Sequence, residues 1–272
     1  MKKVFLVSML FVMLFSCALF AGPIHVAALK GEVAKIKTIL KKTPAAVKSF
    51  DEEGDTPLHI AVAEGQRAVV EYLLNRGVDP NIPDADGTTP IMAAVAEGDM
   101  PMVEYLISKG ADFKFVDKEG VNCLHIAAAA GSKEVTAFFI SKGLDVKTKD
   151  AQGESVLHYA AGDGESEDPE RTDVYSILIE KGADINAKDT QNVTPLHAAA
   201  GAGEKAAVEL LIVKGADLNA KDKEGKTAFD WAVEEEEPEI AALLKSKMKF
   251  DNIHAQPTVA GDAFDKAFDK TF

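Results

Sequence analysis

The sequence has few cysteines, few aromatic residues and a deficit of positive charge. Of its 272 residues only two are cysteine, Cys17 and Cys123, and aromatic residues make up 7% with one tryptophan. If the segment that holds Cys17 is removed, no intramolecular disulfide is available. The net charge of -14 at pH 7 disfavours a sequence-independent grip on nucleic acid or on an anionic membrane surface. We therefore expect no nucleic-acid partner.

The chain also lacks the motifs of common catalytic and metal sites. It contains no G-x-S-x-G sequence and no clustered Cys/His set. Hydrophobic residues nevertheless make up 47% of the chain, so its core must be built from small aliphatic residues, which suits closely packed helices. We predict that the protein is not an enzyme and has no catalytic residues, cofactor or metal site.

Residues 1–21 are predicted to be an export signal. Lys2 and Lys3 precede an uncharged apolar run from Val4 to Ala21, and small residues close the run. This is the order of a secretory signal peptide. Cleavage after Ala21 or after Ala18 would give a periplasmic or secreted protein.

Two alternatives stay open for the same segment. The sequence "LFSC", which ends at Cys17, resembles a bacterial lipoprotein cleavage box, although Phe15 stands where a small residue is usual. The run from Val4 to Ala21 is also just long enough to cross a membrane as an uncleaved anchor. Lipidated Cys17 or the uncleaved helix would make the protein a membrane-tethered envelope scaffold. A membrane is predicted to be involved only through this segment, and the pattern favours a bacterial envelope.

A ten-residue pattern recurs along the chain at intervals of 33 residues, with one interval of 39. It is "TPLHIAVAEG" at Thr56, and a shorter, degenerate copy begins at Pro23. The other copies begin at Thr89, Asn122, Ser155, Thr194 and Thr227. Five copies are followed by a second apolar segment that ends in glycine, such as "VVEYLLNRG". Self-similarity at this period indicates stacked helical units.

The pattern resembles the ankyrin repeat. The resemblance rests on the "TPLH" start, the glycine-ended second segment and the following "ADINAKD" and "ADLNAKD" sequences. It implies an all-α repeat solenoid of about seven ankyrin repeats, each a helix-turn-helix with a β-hairpin finger, including N- and C-terminal caps. The array would span residues 22–248, followed by a tail at 249–272. The resemblance also implies a monomeric module that binds another protein outside the cytoplasm.

Individual residues fit this architecture for physical reasons. Thr56 and Pro57 supply an N-cap and a preset first helical turn. Asn192 stands where other fingers end in glycine, and asparagine is the next-best residue for a left-handed backbone. One position of the second helix is always apolar and is predicted to be buried: Leu73, Leu106, Phe139, Leu178 and Leu211.

Five of the six histidines fall at one position of the repeat: His25, His59, His125, His158 and His197. Equivalent side chains lie one repeat apart, too far to share a metal ion that needs its nitrogen ligands at about 2 Å. The resemblance implies that these histidines hydrogen-bond within and between repeats. Two nucleotide-site look-alikes also fall inside the repeat. "GAGEKA" lies between two helices rather than after a strand, and "GKT" lacks the upstream glycine of a phosphate loop.

The resemblance implies that a partner binds the finger tips and the exposed side of the first helices. The second and third fingers carry apolar tips, and an apolar surface patch indicates a contact site. Phe113 either belongs to this patch or fills a semi-buried slot, as Val146 does at the equivalent position. The predicted binding residues are Ile82, Pro83, Phe115 and Val116 on the tips and Glu64, Glu97 and Asp163 on the first-helix side.

The tail carries an apolar stripe. Phe264, Phe268 and Phe272 lie four residues apart, which places them on one face of a helix. Two uses stay open. The stripe could dock on the last repeat, or it could act as a helical ligand for another protein.

The stretch from Gly162 to Val174 carries six carboxylates and lengthens the fourth repeat to 39 residues. We expect a loop between the two helices of that repeat, with Asp168 as N-cap and Pro169 as the first helical residue. A hydrolase site or a calcium site is the alternative. No nucleophile–base set accompanies the stretch, and the central glycine and distal glutamate of a calcium loop are missing.

Overall fold

A computed structural model of the protein describes residues 22–161 and 169–254. Within these ranges the chain forms fourteen α-helices in seven consecutive pairs. The first helices of the pairs are Pro23–Leu29 (α1), Pro57–Ala63 (α3), Pro90–Ala96 (α5), Cys123–Ala129 (α7), Val156–Tyr159 (α9), Pro195–Gly201 (α11) and Ala228–Glu234 (α13). The second helices are Val33–Lys42 (α2), Arg67–Asn75 (α4), Met100–Ser108 (α6), Lys133–Ser141 (α8), Pro169–Glu180 (α10), Lys205–Val213 (α12) and Pro238–His254 (α14).

The seven pairs stack in sequence order. Each first helix packs against its own second helix and against the first helices of the neighbouring pairs. A short 3-10 helix, Pro44–Lys48, follows α2. The predicted all-α solenoid of seven repeats is therefore confirmed. No helix in the described ranges combines the length and the apolar character needed to cross a membrane.

The first helices begin where the sequence predicts. The Thr56 hydroxyl accepts the His59 N–H, and Pro57 follows as the first helical residue. Where proline is missing, as at Cys123, the Asn122 side chain accepts the N–H groups of Leu124 and His125. Side-chain capping and the fixed φ of proline are thus alternative ways to start the same helix.

The core consists of leucines from the second helices and small residues from the first helices. The five residues predicted to form the buried face of the second helices are all fully buried. Ala127 and Ala128 are also fully buried, which lets neighbouring first helices approach closely. In the fifth repeat the matching pair is Ala199 and Ala200, whereas Ala198 is only half-buried. Our expectation that Ala198 belongs to this pair was therefore wrong by one position.

The fingers are turns held by aspartate side chains. Within the described ranges their β pairing is limited to two isolated bridges, Val116 with Asn122 and Lys149 with Ser155. One carboxylate oxygen in each finger accepts two backbone N–H groups at 2.7–3.0 Å. These aspartates are Asp51, Asp84, Asp117, Asp150, Asp189 and Asp222. Asn192 adopts φ 60°, as predicted for the left-handed position.

Neighbouring fingers are joined through their backbones. The Ala151 N–H donates to the Glu119 carbonyl at 2.7 Å, and the Thr190 N–H donates to the Gln152 carbonyl at 2.8 Å. Gly120 permits this approach, because a Cβ at this residue would lie 2.8 Å from the Ala151 nitrogen. The fingers therefore form a continuous edge, and their tips keep a fixed spacing.

The fourth repeat is held by a buried ion pair next to its insertion. Helix α10 begins at Pro169, as predicted, and has 12 residues where α8 has nine. Nη1 of Arg171 donates to the carbonyls of Ala129 and Ala160, and its Nε lies 3.2 Å from Glu204 Oε1. Arg171 thus links the third, fourth and fifth repeats. The predicted N-cap Asp168 lies outside the described residues.

The last repeat ends differently from the others. Helix α14 has 17 residues and continues past 248, the predicted end of the array, to His254. Glu236 adopts φ 62° at the position held by Gly203 in the preceding repeat. A left-handed backbone costs a residue with a Cβ about 1–2 kcal/mol. The turn between α13 and α14 therefore stores strain that the preceding turn avoids.

We expect Glu236→Gly to raise the free energy of unfolding by about 0.5–1 kcal/mol, since glycine adopts a left-handed backbone without steric cost. Urea unfolding measures this change. Glu235→Gly is the matched control and should lower the free energy of unfolding, because Glu235 has φ -88° and gains nothing from glycine. A destabilised Glu236→Gly variant would contradict the assignment of strain.

Candidate protein-binding surface

The predicted first-helix residues occupy equivalent positions in neighbouring repeats. Glu64 caps the C-terminus of α3 and is half-buried, and Glu97 caps α5 and is exposed. Partial burial raises the pKa of Glu97, and the nearby charge of Glu64 raises it further. The two carboxylates therefore face each other across one repeat spacing. Asp163, the third predicted acid, lies outside the described residues.

A second group of carboxylates surrounds the first two finger tips. Burial raises the pKa of Asp55 to about 7, and the charges of Asp51, Asp84, Glu53 and Asp86 add to the effect. Carboxylate oxygens of Asp51, Glu53 and Asp55 all lie within 4.8 Å of one another. This spacing suits a hard cation, which prefers oxygen ligands. However, Oδ1 of Asp51 already accepts two backbone N–H groups, which reduces what it can offer to an ion.

The apolar tips divide into an exposed and a packed part. Val116 is 49% exposed, and Pro83, at the same position of the preceding finger, is also exposed. Ile82 and Phe115 are half-buried and pack against the core, so they support the tips more than they present a contact surface. Phe113 is half-buried too, with its ring centroid 6.0 Å from that of Phe139. This position fits the interpretation that Phe113 fills a slot.

The sequence analysis missed one member of this surface. Phe50 is 53% exposed and lies six residues before the N-cap Thr56, as Pro83 and Val116 do before theirs. We call Phe50, Pro83 and Val116 the apolar row. The signal was present in the 33-residue period, but only the second and third fingers were compared. The later fingers carry exposed lysine at the same position: Lys149, Lys188 and Lys221.

The repeat histidines hydrogen-bond across repeats. Four of them place Nε2 at 3.0–3.1 Å from a carbonyl of the next finger: His25, His59, His158 and His197. A carbonyl can only accept, so Nε2 of these rings carries the proton. In His59 the Nδ1 atom lies 2.8 Å from the Thr56 hydroxyl, so both ring nitrogens are used. His125 instead packs its ring against Tyr159, with centroids 4.9 Å apart.

Two aromatic side chains fasten the fingers from beneath, and the sequence analysis did not identify them. The Tyr159 hydroxyl donates to Asp150 at 3.0 Å, and the Trp231 ring nitrogen donates to Asp222 at 2.9 Å. Both residues directly follow the histidine position of their repeat. Their hydrogen bonds fix the finger aspartates, which in turn hold the finger backbone.

Family models decide what this repeat is. A model described as "Ankyrin repeats (3 copies)" matches residues 20–84, 91–189 and 170–255, and one described as "Ankyrin repeats (many copies)" matches 68–107. The chain belongs to the ankyrin-repeat family. These matches cover most of the chain, and no catalytic family is among them, which agrees with a protein-interaction module.

Similar ankyrin-repeat proteins match over about two repeats. "Ankyrin repeat family A protein 2" of Bos taurus and of Homo sapiens is 42% identical over 59 residues, which is 22% of this chain and 18% of each relative. "Transient receptor potential cation channel subfamily A member 1" of Homo sapiens is 37% identical over 60 residues, or 22% of this chain and 5% of that protein. The chain thus spans under a fifth of these relatives, and the similarity concerns the repeat itself.

Cys123 is a structural residue of the ankyrin array. Its side chain is fully buried, and burial raises the pKa of the thiol to about 12. A thiol that stays protonated is a poor nucleophile and a poor metal ligand. The small buried side chain replaces the proline of the "TPLH" sequence, and it takes no part in chemistry.

The histidines make the stability of the array depend on pH. Burial lowers the pKa of His59 and of His125 to about 4. Below pH 6.5 the unfolded chain gains protons that the folded state refuses. The free energy of unfolding should therefore fall towards pH 4, by about 1.4 kcal/mol per histidine per pH unit. Thermal unfolding at pH 7.5 and pH 5 should show a smaller drop for His59→Gln than for the parent, and equal drops would contradict the assignment.

Asp55 should act in the opposite direction. Its folded-state pKa of about 7 means that the ionised carboxylate destabilises the fold as pH rises from 4 to 7. We expect Asp55→Asn to raise the free energy of unfolding at pH 8 by about 1–2 kcal/mol, after allowance for partial exposure, and to change it little at pH 4. The neighbouring exposed Glu52→Gln is the control. A gain that is equal at both pH values would refute the cause.

Proposed function

We propose that the protein is a non-enzymatic module that captures a partner protein through the fingers and first helices of its first three repeats. The observation that carries this proposal is the apolar row next to acidic groups whose pKa values are raised. Val116 and Phe50 are about half exposed. Asp55 and Glu97, which line the same part of the array, make no ion pair within the described residues.

The chemistry of this surface selects the kind of partner. Carboxylates with raised pKa values stand in a poorly solvated, like-charged environment, so a cation placed among them is stabilised by each of them. An apolar side chain on the row would in addition remove exposed surface from water, at about 25 cal/mol per Å². The best match is a protein segment with basic residues on either side of an apolar residue. Such binding should weaken as salt is added.

The location of this activity is a further part of the proposal. We propose that the protein acts outside the cytoplasm, as a periplasmic or secreted protein, on the strength of the signal pattern in residues 1–21. Helix α1 begins at Pro23, so cleavage after Ala21 would leave the first repeat intact. Lipidation of Cys17 or an uncleaved helix would make it a tethered scaffold instead. The mass of the mature N-terminus distinguishes these forms, because cleavage after Ala21 removes both tethers.

We expect Val116→Lys and Phe50→Lys to reduce partner capture about tenfold or more each. Lysine at this position is compatible with the fold, since Lys149 occupies it in the next finger. Phe115 is unsuitable for the test because it packs against the core. Capture from periplasmic or culture fractions, compared at low and high salt, measures the effect.

Val213→Lys is the matched control for this experiment. Val213 is 81% exposed but lies on a second helix, away from the fingers. It should bind as the parent does, and all three variants should keep the parent melting temperature. Unchanged capture by Val116→Lys and Phe50→Lys, or an equal loss in Val213→Lys, would refute the proposed surface.

A further inference from the structure

The last repeat leaves an apolar face open where every earlier repeat is covered by its neighbour. Val233 on α13 is 54% exposed. The residues at its position in the preceding five repeats are at most 2% or so exposed, because the next first helix packs on them: Val62, Val95, Ala128, Ala161 and Ala200. Phe229 is half-buried, whereas Leu196, its equivalent, is 1% exposed.

This face is a groove between the two helices of the last repeat. It is lined by Phe229, Ala232 and Val233 from α13 and by Pro238, Ala241 and Lys245 from the α14 side. Phe229 and Val233 are four residues apart on α13, and Ala241 and Lys245 are four apart on α14. Each helix thus presents a row with the i, i+4 spacing, and a third helix can lay a row of the same spacing between them.

We propose that this chain's own segment 262–272 covers the groove, with Phe264 and Phe268 set against Val233 and Phe229. The segment repeats phenylalanine at the i, i+4, i+8 spacing, with about 6 Å between successive rings along a helix. That is the rise between Phe229 and Val233 on α13. Tail and groove therefore match in period as well as in apolar character.

The connection is long enough. From Lys245, on the groove, to His254, at the end of α14, the helix rises about 14 Å. The six residues 255–260 can span up to about 20 Å when extended, so they can return the chain to the groove. Pro257 and Gly261 stand in this connection, and both residue types disfavour a continued helix.

Charge favours the tail over a second copy of the chain. Between its phenylalanines the tail carries Asp265 and Asp269, and the groove is bordered on α14 by the exposed Lys245 and Lys247. A two-fold contact between two copies at this end would instead bring the glutamates at 234–237 of both copies together. Like charges at such a contact oppose it by several kcal/mol.

Disulfide trapping in the full chain tests this arrangement. Val233→Cys and Phe268→Cys are combined with Cys17→Ser, while the buried Cys123 stays. Under mild oxidation we expect an intramolecular disulfide in most molecules. The control pairs Phe268→Cys with Val213→Cys, an exposed valine away from the groove, and should stay mostly reduced. Equal trapping in the control, no trapping at Val233, or disulfides between chains alone would overturn the proposal.

Thermal unfolding gives a second, independent measurement. The double variant Phe264→Ala, Phe268→Ala should lower the melting temperature by about 2–4 °C, whereas Lys266→Ala, Lys270→Ala on the same segment should not. Val233→Asp should destabilise the parent but have no further effect in the double alanine variant, since the covered contact is already lost. Additive effects of the groove and tail variants would refute direct contact between them.

Discussion

The close contact between neighbouring first helices is the constraint on which the rest of the structure depends. Residues such as Ala128 and Ala200 are covered only because the next first helix lies on them. No unit can bury this face alone, so each repeat is stable only as part of the stack. The contact fixes the repeat spacing, and the spacing brings each finger within hydrogen-bonding distance of the next. The binding surface on the finger tips is therefore a consequence of packing at the base of the fingers.

Much of the fold could be predicted from the sequence because it repeats. The 33-residue period locates the helices, and Leu73 and its equivalents are buried as predicted. Asn192 adopts the left-handed backbone for the reason given from its residue type. The finger aspartates were equally readable, since each stands three residues before a finger glycine or Asn192, but local turn chemistry was not examined there. Arg171 could not be foreseen, because its partners Ala129 and Glu204 are set by the insertion in the fourth repeat and by three-dimensional packing.

The candidate surface was predicted less well than the fold. Residue type places Phe115 and Val116 together, but only packing shows that Phe115 supports the tip while Val116 faces solvent. The pKa of Asp55 depends on burial and on Asp84, which is 29 residues away in the chain and adjacent in the stack. Such couplings arise between repeats, and a pattern read within one repeat does not contain them.

The two ends of the array differ in electrostatics, and this difference assigns their roles. At the C-terminal end acidic residues are matched: Lys226 pairs with Glu224 and Glu234, and Lys205 pairs with Glu239. At the N-terminal end Asp55 and Glu97 carry raised pKa values beside the apolar row. Opposite charges already satisfied within the chain give little to an external partner, whereas carboxylates held close together gain from one. A solenoid of near-identical units thus acquires a binding end and a closing end through a few substitutions at fixed positions of its repeat.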